Sequence, residues 1–461
     1  MENDSQETWF FKIKEKLDIG EHYSSHTGAL DYIADVLAFL ALFPTTAFPW
    51  EMPWYFCFVC AYASGIILYA RRQRNELGKK LLSSTRFVAF LLTVPMAIGM
   101  IWTLVLMNLD MAAYDQWSRP ISLFLQFFAA MVLGGGYYVR YGKNAAHILF
   151  RILCVISFLS FAMGLYYYGF NAVWERVISG GNGVVEVRRY YELHGIGNFM
   201  PLYIFYVAIV NRDCERRGLK IAIAALISFL CFKRIALFAA VIICIIALFV
   251  HLKDREKGTI SFIEVFCQIA IFVGILFWIV LSSTSQFSQI MADMGVQVHG
   301  RANIWAYASD QYAGTLFGVG SGAVSIYLTT LISTGVKGLA ALLHNDILRV
   351  YLEFGSVGAV LWALYNTFWI PARLASKYGY VAKRLYLLVF IYLLISYSTS
   401  NSLDSLTLQP LALIIICEGT MMASNYAAET KEDMDIERSD AIEINAISTD
   451  DVEEDAYAKV S

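Results

Sequence analysis

The sequence predicts an all-α, polytopic transmembrane helix bundle, and three observations lead there. Only 16% of the 461 residues are charged and 58% are hydrophobic, whereas soluble domains carry about 25% charged residues. The apolar residues gather in about twelve runs, most of them near the ~20 residues that a spanning helix needs. Lys and Arg collect in every second connection, as a chain weaving through a bilayer requires.

Residues 1–30 form a polar segment with no short apolar core near its start, so no cleavable signal is expected and the first span serves as the targeting signal. The candidate spans lie near 31–48, 54–70, 86–107, 119–139, 147–169, 198–211, 219–232, 235–250, 262–282, 346–370, 384–400 and 406–423. The basic connections carry Arg71, Arg72, Arg74, Lys79 and Lys80, then Arg140 and Lys143. Next come Arg212, Arg216, Arg217 and Lys220, then Lys253, Arg255 and Lys257, then Arg373, Lys377, Lys383 and Arg384. These connections are read as cytoplasmic, and both termini join them in a multi-pass protein of the cytoplasmic (inner) membrane. The tail at 424–461 differs from the rest. From Glu429 onward it holds twelve acidic and three basic residues, a composition that favours a disordered cytoplasmic segment. Seven of the eight cysteines lie in apolar runs, so they read as packing residues, including the Cys57/Cys60 pair.

Two outward connections are long, at 170–197 and 283–345, and loops of that length usually serve function. The first carries the cationic pair Arg188 and Arg189. A second pair, Lys233 and Arg234, stands at an outward turn, where positive charge is disfavoured. The second long connection holds Arg301 and Trp305, four residues apart and on one face if helical. It continues through Gly318, Gly320 and Gly322, which read as a turn because no P-loop Lys-Ser/Thr follows. It ends in His344 and Asn345 at the start of a membrane helix. Asn345 or Asp346 can cap that helix. Its positive N-terminal field favours anions and a neutral imidazole. Arg349 and Glu353 stand one turn apart as a candidate pair, and Gly355 and Gly358 suit close helix contact. The outward face therefore gathers cations suited to a substrate with more than one negative charge.

These residues resemble a known family. His344-Asn345, nine residues, then Gly355-Ser-Val-Gly358 is similar to the signature of the O-antigen ligase and O-antigen polymerase superfamily. The upstream "GRANIWAYA" with Arg301 and Trp305, and the turn Gly318-Val-Gly320, resemble elements of the same family. "FKR" at 232–234 looks like its Ser/Lys-Arg step, and "RRYYELHGIGNF" is a looser match. The resemblance covers about 188–401, and residues 31–423 would form the polymerase/ligase-like domain. It implies a GT-C-like bundle and a glycosyltransferase acting outside the cytoplasm on undecaprenyl-diphosphate-linked oligosaccharide, with no metal and no cofactor. Under it, His344 and Arg301 are the candidate catalytic residues. Arg188, Arg189, Lys233, Arg234, Asn345 and Trp305 are the candidate substrate-binding residues.

The first expectation is a polysaccharide polymerase for capsule, exopolysaccharide or O-antigen. The alternatives are a ligase moving glycan to lipid A core or another acceptor, and a transporter or flippase for the lipid-linked glycan. A membrane-structural or sensor protein is the plain alternative. Expected partners are the bilayer, the lipid-linked glycan and a chain-length regulator or other export proteins. Nucleic acid is not among them.

Overall fold

Wherever the described chain is regular it is helical, with no strand among the described residues. The computed structural model describes residues 28–43, 54–72, 74–178, 193–231, 233–250, 262–284, 301–336 and 342–423. Residues 1–27 of the expected polar N-terminal segment, the acidic tail and the Arg188/Arg189 pair lie outside them. Among the described residues, five helical stretches are long and apolar enough to cross a membrane: Glu76–Asn108, Ser118–Glu175, Glu264–Ser282, Asp346–Tyr378 and Tyr380–Tyr397. Five shorter apolar helices accompany them.

The first group comprises α1 (Ala29–Leu42), α2 (Trp54–Ala70), α3 (Glu76–Asn108) and α4 (Ser118–Tyr141). α2 packs on both α1 and α4, and α3 packs on α4. Small residues set the approach of α2 and α4. A side chain at Gly136 would fall 2.6 Å from the Gly65 carbonyl oxygen. Backbone contact this close is how helices gain packing energy where lipid offers no hydrophobic drive. A short 3₁₀ turn leads into α5 (Ala145–Ile178).

The second group comprises α6 (His194–Phe205), α7 (Arg217–Leu230), α8 (Arg234–Val250) and α9 (Phe262–Ser282). Two helices follow inside the long connection, α10 (Arg301–Tyr312) and α11 (Ala323–Ser333). Then come α12 (Asp346–Leu364), α13 (Ile370–Tyr378), α14 (Tyr380–Tyr397) and α15 (Leu408–Ala423). α8 packs on α14 and α6, and α9 packs on α12.

The region at 283–345, read from sequence as one long connection, therefore contains two helices among its described residues. α10 buries Ile304, Trp305, Ala308 and Tyr312, a helical spacing that turns one face inward. That face joins Val324, Leu328, Leu343, Leu348 and Leu352 in a hydrophobic cluster distinct from the main core. This outer cluster is the platform on which the candidate site stands.

The bundle has two unlike ends. One gathers the start of α1, the end of α4 and the starts of α9 and α14. There Arg140 pairs with buried Asp31 at 2.9 Å. Glu264 takes Lys383 at 3.1 Å and Arg384 at 2.6 Å. The other end gathers the end of α3, the start of α4, the start of α12 and the end of α14. It holds the outer cluster and the residues described next.

Candidate functional site

The start of α12 organises the site. Asn345 is extended (φ −156°) and its Oδ1 accepts the Leu348 N–H at 3.0 Å, so it is the N-cap. The same oxygen accepts the Trp278 indole N–H at 3.3 Å. Asp346, expected as a possible cap, does something else. Its Oδ2 accepts the backbone N–H groups of Ser402 (2.6 Å) and Leu403 (2.7 Å). Its Oδ1 lies 3.2 Å from the Arg349 guanidinium. Arg349 also lies 3.7 Å from Asp404. The sequence paired Arg349 with Glu353. The structure pairs it with Asp346 and Asp404, because the connection after α14 folds over the helix start and brings a second carboxylate.

His344 precedes the cap in the left-handed region, with φ +55°. Few side chains occupy that region, and histidine is among those that do so more readily. Its backbone N–H donates to Asn401 Oδ1 at 3.0 Å, and the Asn401 Nδ2 stands 3.4 Å from its Nδ1. Arg301, at the start of α10, donates from Nη1 to the Thr399 carbonyl at 3.1 Å. Thr399 and Asn401 share one short connection, so Arg301 and His344 are tied to the same strip of chain. Trp305 is buried. Its indole N–H donates to the Leu343 carbonyl at 2.7 Å and its ring meets Trp278 edge-on. The structure thus brings four of the sequence candidates together: Arg301, Trp305, His344 and Asn345. Trp305 and Asn345 are wholly inside the protein, which gives them supporting positions rather than exposed binding ones.

The remaining cations fall elsewhere. Lys233 lies across Gly197 at the start of α6, whose Cβ would meet its Cγ at 2.5 Å. Arg234 is exposed at the start of α8. α8 approaches the site through α14, on which it packs.

Gly355 was read as a helix-contact residue, and the structure gives it a different task. It breaks α12, with φ +72° and ψ −176°. A break inside a membrane helix leaves backbone groups that must find partners. The turn after α10 supplies them. Val319 and Gly320 donate their N–H groups to the Glu353 carbonyl at 3.1 and 2.9 Å. Ser356 and Val357 donate theirs to the carbonyls of Thr315 and Leu316 at 3.0 and 3.1 Å. Gly318 (φ +76°) and Gly355 meet back to back. A Cβ on Gly318 would sit 2.2 Å from the Glu353 carbonyl oxygen, and one on Gly355 would sit 2.4 Å from the Gly318 nitrogen. Gly358 instead faces Phe354 of its own helix.

The first helical group grips the other side of this turn. Trp102 donates to the Phe317 carbonyl at 2.9 Å, and the Thr103 hydroxyl accepts the Ser321 N–H at 2.9 Å. Tyr114 donates to the Ser321 carbonyl, and Arg119 donates to the Ser325 hydroxyl at 2.9 Å. Tyr114 sits outside the spans, and burial raises its phenol pKa, so it remains a donor.

The sequence reading missed Asn401, Asp404, Arg119 and Trp278. Asn401 and Asp404 carried a legible signal, two polar side chains in a short outward connection. Arg119 and Trp278 carried none, since each is a lone polar-tipped residue at a span end, where such residues commonly sit.

Comparison with known proteins now has a geometry to attach to. Residues 219–363 match the family described as O-antigen ligase. The matched segment contains Lys233, Arg234, Arg301, Trp305, the Gly318 turn, His344, Asn345 and Gly355. No curated protein matches the chain. The resemblance to the O-antigen ligase and polymerase superfamily is thereby shown over that segment. The chain thus combines several helices apolar enough to cross a membrane with a segment similar to O-antigen ligases.

Proposed function

We propose that the protein is a polysaccharide polymerase that joins undecaprenyl-diphosphate-linked repeat units on the extracytoplasmic face of the cytoplasmic membrane. The observation that carries this reading is the meeting of Arg301 and His344 on the 399–401 connection, within or beside the segment matched to O-antigen ligases. The site lies at the end of the bundle opposite the Arg140 and Lys383/Arg384 clusters. The positive-inside rule makes that opposite end the outer one. A twelve-span, GT-C-like arrangement with both termini cytoplasmic belongs to the same proposal.

In the reaction, an acceptor hydroxyl of one glycan attacks the anomeric carbon of another. The bond from that carbon to the diphosphate oxygen breaks, and the electron pair stays on the lipid diphosphate. Arg301 neutralises the charge that develops there, with Arg234, Lys233, Arg188 and Arg189 as the further cations of the lipid-diphosphate site. His344 orients the acceptor hydroxyl or takes its proton. Asn345 and Trp305 hold the histidine and arginine in register from beneath. A chain-length regulator is the expected protein partner.

Replacing His344 or Arg301 by Ala, with protein accumulating at the normal level, should shorten the surface polymer to single units. Normal long chains would sink the assignment. The ligase alternative is separated by deleting the gene. A polymerase mutant leaves single repeats attached to their final acceptor, whereas a ligase mutant accumulates polymer on the carrier lipid.

A further inference from the structure

The Asn401–His344 contact determines more than position. An amide side chain has one accepting and one donating end, and its orientation must be deduced from its neighbours. Here the neighbour is decisive. The backbone N–H of His344 can only donate, and it stands 3.0 Å from one end of the Asn401 amide. That end is therefore the carbonyl oxygen. The other end, the NH₂ group, then faces His344 Nδ1 at 3.4 Å. A ring nitrogen facing an N–H donor accepts, so the proton of a neutral imidazole resides on the other nitrogen.

Asn401 is held in this pose from both sides. The two residues after it, Ser402 and Leu403, give their N–H groups to buried Asp346 at 2.6 and 2.7 Å. The left-handed backbone at His344 (φ +55°) aims its N–H at the amide. Two features that look unrelated, a rare backbone conformation and a buried carboxylate, thus serve one hydrogen-bond pattern.

We infer that Asn401 is a positioning residue that sets the tautomer of His344, so that the ring offers Nε2–H as a donor. The chemical consequence rests on the glycosyl-transfer reading above. A ring that carries its proton on Nε2 cannot also receive one there. His344 then donates a hydrogen bond to an oxygen that gains negative charge, rather than removing the acceptor proton. The balance closes without it. The acceptor oxygen bonds to the anomeric carbon, the diphosphate leaves with the electron pair, and the hydroxyl proton passes to a diphosphate oxygen.

The tautomer can be read directly. The full chain, with ¹⁵N-labelled histidine, is placed in lipid bilayers at about pH 8, above the ordinary imidazole pKa of about 6.5. Solid-state NMR then reports which ring nitrogen of each histidine bears a proton. The His344 signals, among those of seven histidines, are identified by their loss in His344→Gln. The expected result is a bare Nδ1 and a protonated Nε2. Asn401→Asp should move the proton to Nδ1, since a carboxylate there can only accept. A protonated Nδ1 in the unaltered protein would overturn the inference, as would an unmoved proton in Asn401→Asp. The unaltered protein alone decides the question if that variant does not fold. Normal polymer in His344→Ala would instead remove the function while leaving the tautomer standing, so the two failures are distinct.

Discussion

The two ends of this bundle are held by different means. At the basic end, side chains clamp helix ends: Arg140 on Asp31, and Lys383 with Arg384 on Glu264. Two π-helical turns there, Tyr206–Val210 and Tyr365–Trp369, leave their helices continuous, and Gln268 donates to the Thr367 carbonyl at 2.6 Å. At the opposite end the backbone itself is opened. α12 breaks at Gly355, His344 turns left-handed, and a turn from another part of the chain completes the lost hydrogen bonds. Charge pairs secure a shape, but an interrupted helix secures a position for particular atoms. Strain of this kind is retained where the surroundings over-determine it, and it clusters at functional sites.

Substitutions at the two ends should therefore separate stability from chemistry. The largest effect is expected for Asp346→Ala. It leaves Arg349 with only the longer contact to Asp404, unpins the 402–403 backbone and releases Asn401. Removing one partner of a buried pair costs about 3–5 kcal/mol, so both the melting temperature and the polymer should be lost. Retained long chains in this variant would refute the positioning role of the 401–403 connection. Next comes Gly355→Ala, which puts a Cβ 2.4 Å from the Gly318 nitrogen at a positive φ. Strain and overpacking together amount to roughly 2–5 kcal/mol. Thermal denaturation in detergent measures it, and an unchanged midpoint would show that the break is dispensable.

At the basic end, Asp31→Asn should destabilise by about 1–3 kcal/mol, because Arg140 loses its charged partner near a helix end. Polymer length per molecule of folded protein should not change. If it does, the two ends are not separable in the way described. The smallest effect is expected for Glu76→Gln. The Glu76–Lys79 pair is exposed, with side chains 80% and 69% accessible, and such pairs contribute less than about 0.5 kcal/mol.

Much of this architecture was legible in the sequence. Long apolar runs announced the helices, because a helix in lipid must be apolar over its whole length. Basic connections announced which ends belong together. Arg301 and Trp305 stood out by their four-residue spacing, and His344 and Asn345 by their place at a helix start. What stayed hidden depended on contacts between distant segments. Nothing in the local sequence around Arg349 tells that Asp404 folds over it. Asn401 was visible only as one polar residue in a short loop, and its value lies in facing His344. Gly355 was read correctly as a special residue but for the wrong reason. Helix contact and helix breakage both ask for glycine, and only the φ angle tells them apart.

The interlock at Gly318 and Gly355 also gives the motif its measure. The segment from the Asn345 cap to the break at Gly355 is a short helical rod fixed at its lower end. Ten residues at 1.5 Å each make it about 15 Å tall. It works as a ruler that sets how far His344 stands above the anchoring turn. One residue added or removed would shift the histidine by only about 1.5 Å in height. It would also swing it by about 100° around the rod, away from Asn401 and out of line with Arg301. The nine-residue spacing is thus a dimension of the machine, fixed at one end by a staple of backbone and read out at the other by an imidazole.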